Sequence, residues 1–367
     1  MPADWNFSRR GVNDLLVQGY LLAGYPVLPG AQRAGLIDGR LYLEASLLQW
    51  EAWDAIGMTP EALNGLMGGH QPTIDVTPPT WRERLQRARR TLRYMRRAPA
   101  LRRQGEAEIA AMHALARRVR GEPLPGDRED LRRLIYTVSR PARTAVGAFF
   151  LQGSGGASLS FLVGRLSRWF PGEGEALGAA LLAGGEPSVT ARQGYALLRL
   201  ARLARAAGFP EQVPAEGEYA RAFAAFMEAY GHRGHYETYV SSVSWREQPA
   251  RLLEQLPALA EVDEDALRAR QRDASAAAWQ RIRRALPVWQ RPLLRALVQA
   301  AGRECNQREA ARSGLIALLE VCRRAWRAAG ALLVAEGALA AWEDVFFLLP
   351  SEAERAVDAQ VPPAGLR

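Results

Sequence analysis

The stretch YGHRGHYETYVSSVSWREQP, residues 230–249, brings three reactive side-chain types close together in sequence: His232, Arg233 and Glu237. Two of the chain's four histidines, His232 and His235, lie here, with Trp245 and Arg246 a few residues on. An imidazole titrates near neutral pH, and a guanidinium holds an anion through two N–H groups at once. With a carboxylate beside them, these are the components of acid–base chemistry on a phosphate or another oxyanion. Gly231 and Gly234 allow a tight turn and a close approach to a ligand. A metal reading would use His232, His235 and Glu237, but the HExxH arrangement is absent and a glycine interrupts any continuous helix, so no metal site is expected. A structural reading makes His232 and Arg233 buried hydrogen-bonding groups that fix the loop against neighbouring helices.

Composition narrows the chemistry. The formal net charge is +9, and all 48 basic residues are arginine. Phosphate-binding loops and kinase sites place a lysine ammonium on the nucleotide. A chain without lysine cannot do so, and it is not expected to be a complete ATP-using enzyme or to bind a cofactor alone. With 48% apolar and 24% charged residues, it reads as a globular protein of one large domain or two to three smaller ones. The apolar runs VGAFFLQ, 146–152, and DVFFLLP, 344–350, are shorter than the ~18 residues that span a bilayer. The charged N-terminus lacks the apolar core of a signal peptide. A cytoplasmic protein with no membrane association is therefore expected. Cys305 and Cys322 have no metal-ligand spacing, and no disulfide is expected.

The elements that would position the cluster are helices. Thr59-Pro60-Glu61 and Pro187-Ser188 are helix starts, the second opening a segment that closes at Gly208. Leu315, Leu319, Cys322, Trp326, Ala329 and Leu333 recur at helical spacing, which predicts one long helix over 303–335. Another runs over 264–286, ended by Pro287. Trp81, Leu85, Ala88, Leu92 and Met95 form an apolar seam within the arginine-rich run 81–103. That seam is expected to pack inward, leaving an arginine-coated solvent face, and no nucleic-acid motif accompanies it. GRLYLEAS, 39–46, is the best strand candidate. The Gly-rich QGSGGAS, 152–158, is an interhelical turn or, less in keeping with its surroundings, an anion cradle at a helix start. The expected fold is all-α, a bundle-like multi-helix domain with long packed helices and at most a minor β element near 39–46. Its parts are expected at 1–125, 126–210 and 211–367.

Three stretches in order add a resemblance. GHRGHYE followed by WREQP is similar to the central region of the phosphoenolpyruvate synthase and rifampicin phosphotransferase-like dikinases. DGRLYLEASLLQW with GMTPEALNGLMGGHQP resembles that family's entry into its central domain. NQREAARSGL, a long helix and EGALAAWEDVFFLLPSEAERA resemble its later segment. Together they span about residues 36–356. The resemblance implies a system of three parts: an ATP-grasp domain, a swivelling phosphohistidine domain and a central helical domain that holds the acceptor. This chain looks like the central part alone, so ATP and Mg²⁺ are implied only through separate ATP-grasp and phosphohistidine proteins. His232 does not match the family's carrier-histidine motif. The sequence also departs from the family at three places: Val243-Ser244 for a Pro-Arg pair, His235 for a small residue, and Glu44 for an asparagine.

The resulting expectation is an acceptor-binding helical domain for phosphoryl transfer to a small molecule, possessing a large apolar pocket. His232, Arg233 and Glu237 would stand at its mouth as catalytic groups. Trp50, Trp53, Met58, Met67, His70, Phe150, His235, Trp245 and Arg308 would contact the acceptor. His113, on the arginine-rich helix, carries no special role. Two alternatives stay open: a non-catalytic ligand- or protein-binding protein on the same fold, and a stand-alone enzyme using His232 and Glu237 as acid and base. A nucleic-acid partner is not expected.

Overall fold

The computed structural model describes residues 11–37, 40–67, 69–154, 156–348 and 350–358. A π-helical segment, Gly11–Leu16, runs into α1 (Val17–Ala23). Strands β1 (Ala34–Ile37) and β2 (Arg40–Leu43) pair antiparallel, with Leu36 opposite Leu41. Then come α2 (Ala45–Ile56), α3 (Pro60–Met67) and α4 (Trp81–Gly121). The middle of the chain holds α5 (Arg128–Ser139), α6 (Pro141–Thr144), α7 (Val146–Ser154), α8 (Ala157–Trp169), α9 (Gly174–Ala183) and α10 (Val189–Ala206). The last part holds α11 (Glu218–Tyr230), α12 (Ala250–Leu253), α13 (Leu256–Leu259), α14 (Glu264–Ala285), α15 (Arg291–Ala335) and α16 (Pro350–Asp358). Short 3₁₀ turns lie at Val288–Gln290 and Trp342–Phe347. The fold is all-α with one minor hairpin, as the sequence predicts.

Local chemistry explains the boundaries. Ser188 caps α10 by accepting from the Ala191 N–H, and Thr80 with Glu83 forms a capping box at the start of α4. Glu44 caps α2 by accepting from the Ser46 N–H at 3.2 Å. Pro287 stops α14, and Pro292 sits in the first turn of α15, where a missing N–H costs nothing. The paired strands expose Tyr42 and Leu43, so the hairpin covers little core.

The organising pair is α4 with α15, of 41 and 45 residues, about 60 and 68 Å long. Arg102 reaches Glu304 and Gln307, Gln307 reaches Glu106, Arg120 reaches Glu320, and Arg324 reaches the carbonyls of Val119, Arg120 and Glu122. The partner numbers rise together, so the two helices run parallel. Helix α7 packs onto α4 at a glycine crossing: a Cβ on Gly105 would lie 2.6 Å from the Gly147 carbonyl oxygen. Core clusters then fill the sides. One unites Ala116, Val119, Val138, Leu318 and Val345, and so draws on residues from all three expected parts of the chain.

One expectation needs correction. The seam Trp81, Leu85, Ala88, Leu92, Met95 does not pack inward. Trp81 is 70% exposed, Leu92 62% and Met95 66%. The residues of α4 that do face the core are Ala98, Leu101, Gly105, Ile109, Met112, Ala116 and Val119. At 100° per residue these lie roughly 120° around the helix from the first seam. The stripe changes face at Pro99, and none of the described elements covers its first half. The start of α8 follows the interhelical turn that the sequence favours, and the alternative of an open anion cradle is not met. The Ser158 N–H donates to Glu304 Oε2 at 2.9 Å, so a carboxylate of the protein already fills it.

The stretch Val146–Trp169 is apolar and long enough to cross a membrane by length and composition alone. Here that stretch is divided into α7 and α8, and Phe149, Phe150, Leu151, Leu162 and Leu166 point into the protein core. Cys305 and Cys322 are both free thiols.

The glycine crossing gives a direct test. Gly105→Ala is expected to lower stability by about 1–3 kcal/mol or more, because the crossing backbones have no room to part. Urea unfolding followed by circular dichroism measures it, and an unchanged midpoint would contradict the crossing.

Candidate functional site

The GHRG turn and the WRE segment are held together through their backbones. The Trp245 N–H donates to the Arg233 carbonyl at 2.8 Å, and the Arg246 N–H to that of Gly231 at 2.9 Å. Gly234 is required by proximity, since a Cβ there would come within 2.8 Å of the Val243 oxygen. This two-bond ladder seats the turn between α11 and the α4–α15 pair.

Each charged group then finds a helix partner. His232 is 5% exposed, and its Nε2 lies 3.1 Å from Ser313 Oγ on α15. Its ring stands 5.8 Å, edge to face, from that of His113 on α4. Burial, and then the neighbouring His113, Arg233, Arg246 and Arg120, push the His232 pKa down to about 3. His232 is therefore a neutral imidazole at physiological pH. His113 is lowered in the same direction by burial and by Arg117 and Arg120.

Arg233 is equally buried, at 5% exposed. Its Nε lies 2.7 Å from Glu237 Oε2, while Arg312 Nη2 of α15 lies 2.9 Å from Glu237 Oε1. The contact between Arg233 and Glu237 is close as an ion pair but not aligned as a hydrogen bond. Among the described residues, Arg233 Nε and Nη1, and Arg312 Nε, are buried without a hydrogen-bond partner. Two guanidiniums thus share one carboxylate, with three N–H donors unfilled. Buried donors of this kind cost energy unless an acceptor reaches them.

The WRE arginine and acid are structural. Arg246 joins Glu320 and the Met227 carbonyl, and Glu320 also receives Arg120 at 3.2 Å. Glu247 accepts from the Ser244 N–H at 3.0 Å, from Arg323 at 2.9 Å and from Arg327 at 3.0 Å. Burial alone would raise its pKa, but these donors hold it below the usual carboxylate range. Ser244, which stands where the family has an arginine, is buried against Glu247.

The other predicted contact residues are dispersed. Trp53 lies under Arg87 at 4.6 Å, and His232 lies against His113. Those two α4 positions are about 39 Å apart along the helix, at 1.5 Å per residue. Trp53 therefore cannot line a pocket at the GHRG turn. Trp50, 39% exposed, and Met58, half-buried, belong to the same distant end, and His70 is exposed there after α3. The Met67 side chain lies outside the described residues. Phe150 is fully buried, 6.3 Å from Tyr94 and 6.2 Å from Tyr20, as ordinary core. Trp245 packs on Phe226 at 5.8 Å. His235 is exposed and lies against Tyr236, whose φ of 54° is left-handed. Arg308 is exposed, one turn before Arg312, which makes the contact with Glu237. The apolar pocket expected at this mouth is not formed by these side chains. Among the described residues, no three histidine, cysteine or acidic side chains converge in a way that could hold a metal ion.

Sequence reasoning passed over His113, Arg312 and Ser313. His113 had no signal beyond its type. Arg312 and Ser313 lie inside the quoted NQREAARSGL, one turn after Arg308, so the motif pointed to this part of the helix while the contact with Glu237 is made by Arg312.

Residues 151–309 match the family model of the rifampicin phosphotransferase fourth domain. This segment is similar to that one domain of the rifampicin phosphotransferases. It contains His232, Arg233, Glu237, Arg246 and Glu247. Helix α4 and the C-terminal half of α15, which supply His113, Arg312, Ser313, Glu320 and Arg323, lie outside the matched residues. No curated protein sequence matches the chain.

Burial of His232 sets a pH signature. The unfolded imidazole takes up a proton near pH 6.5, and the folded one only near 3, so below 6.5 the unfolded state binds more protons. This contribution is complete above that pH and is lost as pH falls toward the folded value. Urea unfolding between pH 7.5 and 4.5 should show the wild type losing up to about 1.4 kcal/mol per pH unit more than His232→Gln. Parallel curves for the two proteins would show that His232 is not held neutral.

Proposed function

We propose that this chain is an acceptor-binding helical domain for phosphoryl transfer, acting with separate ATP-grasp and phosphohistidine components. The carrying observation is the set of three unfilled N–H donors on Arg233 and Arg312 around Glu237. Two arginines facing one carboxylate leave one net positive charge, suited to an anionic oxygen of a phosphoryl group or of its acceptor. In this reading Arg233 and Arg312 orient the anion. Glu237 fixes both guanidiniums, and Ser313, His113 and His232 brace the turn. The likeness of residues 151–309 to the rifampicin phosphotransferase fourth domain supports the same class of reaction. ATP and Mg²⁺ would be handled by the partner component, in keeping with the absence of lysine here.

The same geometry argues against a stand-alone enzyme in which His232 and Glu237 serve as base and acid. An imidazole with a pKa of about 3 draws protons weakly near neutrality. The Glu237 carboxylate is engaged by two guanidiniums on its two oxygens rather than left free to meet a substrate. The non-catalytic reading has one observation in its favour: His232 and Arg233 are closed over, each 5% exposed, so a ligand must open the turn to reach them.

The test mixes the purified chain with ATP-grasp and phosphohistidine proteins of this family, ATP, Mg²⁺ and candidate hydroxyl acceptors. AMP release and acceptor mass are followed together. Transfer is expected, and Arg233→Gln or Arg312→Gln should reduce it by about 10- to 100-fold, the range for a charge-assisted hydrogen bond. An acceptor set that binds yet is never phosphorylated would instead favour the non-catalytic reading.

A further inference from the structure

The uncovered first half of α4 has a pattern that its own fold does not use. Trp81, Leu85, Ala88, Leu92 and Met95 alternate four and three residues apart, and all are exposed. That is the spacing of the two core positions of a coiled-coil heptad, and the resulting seam is narrower than the face of an ordinary surface helix. If Trp81 takes the second core position, the next position of each heptad is Arg82, Arg89 and Arg96. All three are exposed, and none makes an ion pair with a described residue. On the helix they form one row alongside the seam.

The opposite face of the same segment is occupied. Arg90 pairs with Asp54 at 2.7 Å, Arg87 stacks on Trp53, and the Tyr94 ring lies 4.6 Å from Tyr25. The helix is therefore anchored along one side and presents the seam on the other. From Arg84 to Arg103 the helix contains no acidic residue, so its own turns cannot neutralise the row.

We propose that this face docks an acidic amphipathic helix of another protein, with apolar residues on the seam and carboxylates opposite Arg82, Arg89 and Arg96. Charge and geometry select this occupant. A second copy packed antiparallel would set the arginine row against itself. Packed parallel, it would need the other flank, where Ala98 is buried in the protein's own core. A lipid surface gains from arginines along both flanks, whereas the other flank here holds only Arg84, followed by Thr91 and Ala98, and the full row of three lies on one side. Nucleic acid would be met by the arginines but leaves the apolar seam in water. The proposal rests on a surface remote from the GHRG turn and does not depend on the phosphotransfer reading.

The test uses the full chain and a labelled four-heptad peptide with leucine at the core positions and glutamate at the flanking ones. Its own repulsion keeps the peptide from self-pairing at neutral pH. Fluorescence anisotropy should show binding that weakens as salt rises. Leu92→Glu should weaken it about tenfold or more, the scale of one buried leucine contact. Because Leu92 is exposed, unfolding midpoints should stay unchanged and exclude misfolding. Charge reversal of Arg82, Arg89 and Arg96 to glutamate should abolish binding of the glutamate peptide and create binding of a lysine-flanked one. The proposal is overturned if the glutamate peptide fails to bind, or if Leu92→Glu and the charge reversal leave its binding unchanged. It is equally overturned if phosphatidylglycerol vesicles or duplex DNA bind this face and the peptide does not.

Discussion

The parallel contact between α4 and α15 carries the rest of the molecule. Two helices of this length cannot be held side by side by apolar packing at one point, because small errors in direction grow along their length. Here the register is pinned at intervals by buried or half-buried ion pairs, Arg102 with Glu304 near one end and Arg120 with Glu320 further on. Gly314 lets α15 approach Ile109 between them. Removing one partner of such a pair leaves a charge without compensation, which costs more than an exposed pair gains. The pairs therefore specify register more than they add stability.

The GHRG turn depends on that frame. Its residues lie in the segment 151–309 that matches the rifampicin phosphotransferase fourth domain, but their partners come from the two long helices. Ser313 and Arg312 occupy successive positions on α15, so one turn of helix meets both His232 and Glu237. Arg120 and Glu320 then connect the same frame to Arg246, and Arg323 connects it to Glu247. A shift of α15 by one residue would rotate each of these side chains away by about 100°. The turn is thus a polar plug whose chemistry is set by helices distant in sequence.

That dependence also explains the contrast between Arg246 and Arg233. Both are motif arginines beside glycine-rich backbone, yet Arg246 is satisfied by Glu320 and a carbonyl, while Arg233 retains unfilled donors. Motif membership alone does not separate a bracing arginine from one with binding capacity left. The count of acceptors around each guanidinium does.

Much of the helical architecture was legible in the chain itself. Spacing of Leu315, Leu319, Cys322 and Leu333 marked the buried face of α15, because a 3.6-residue period fixes which side chains share a face. Capping residues such as Ser188, and prolines such as Pro287, marked where helices begin and end, since those effects act within one turn. The cluster of His232, Arg233 and Glu237 was likewise visible, being local. What the chain could not state was the partner of each face. Trp81, Leu85, Leu92 and Met95 have the same periodicity as a core seam and are exposed, because periodicity defines a stripe and says nothing of what lies opposite. His113, Trp53 and Phe150 illustrate the same limit. Only the packing of α4 on α15 brought the first to His232 and kept the other two away, since contacts between residues far apart in sequence are decided by register and not by local propensity.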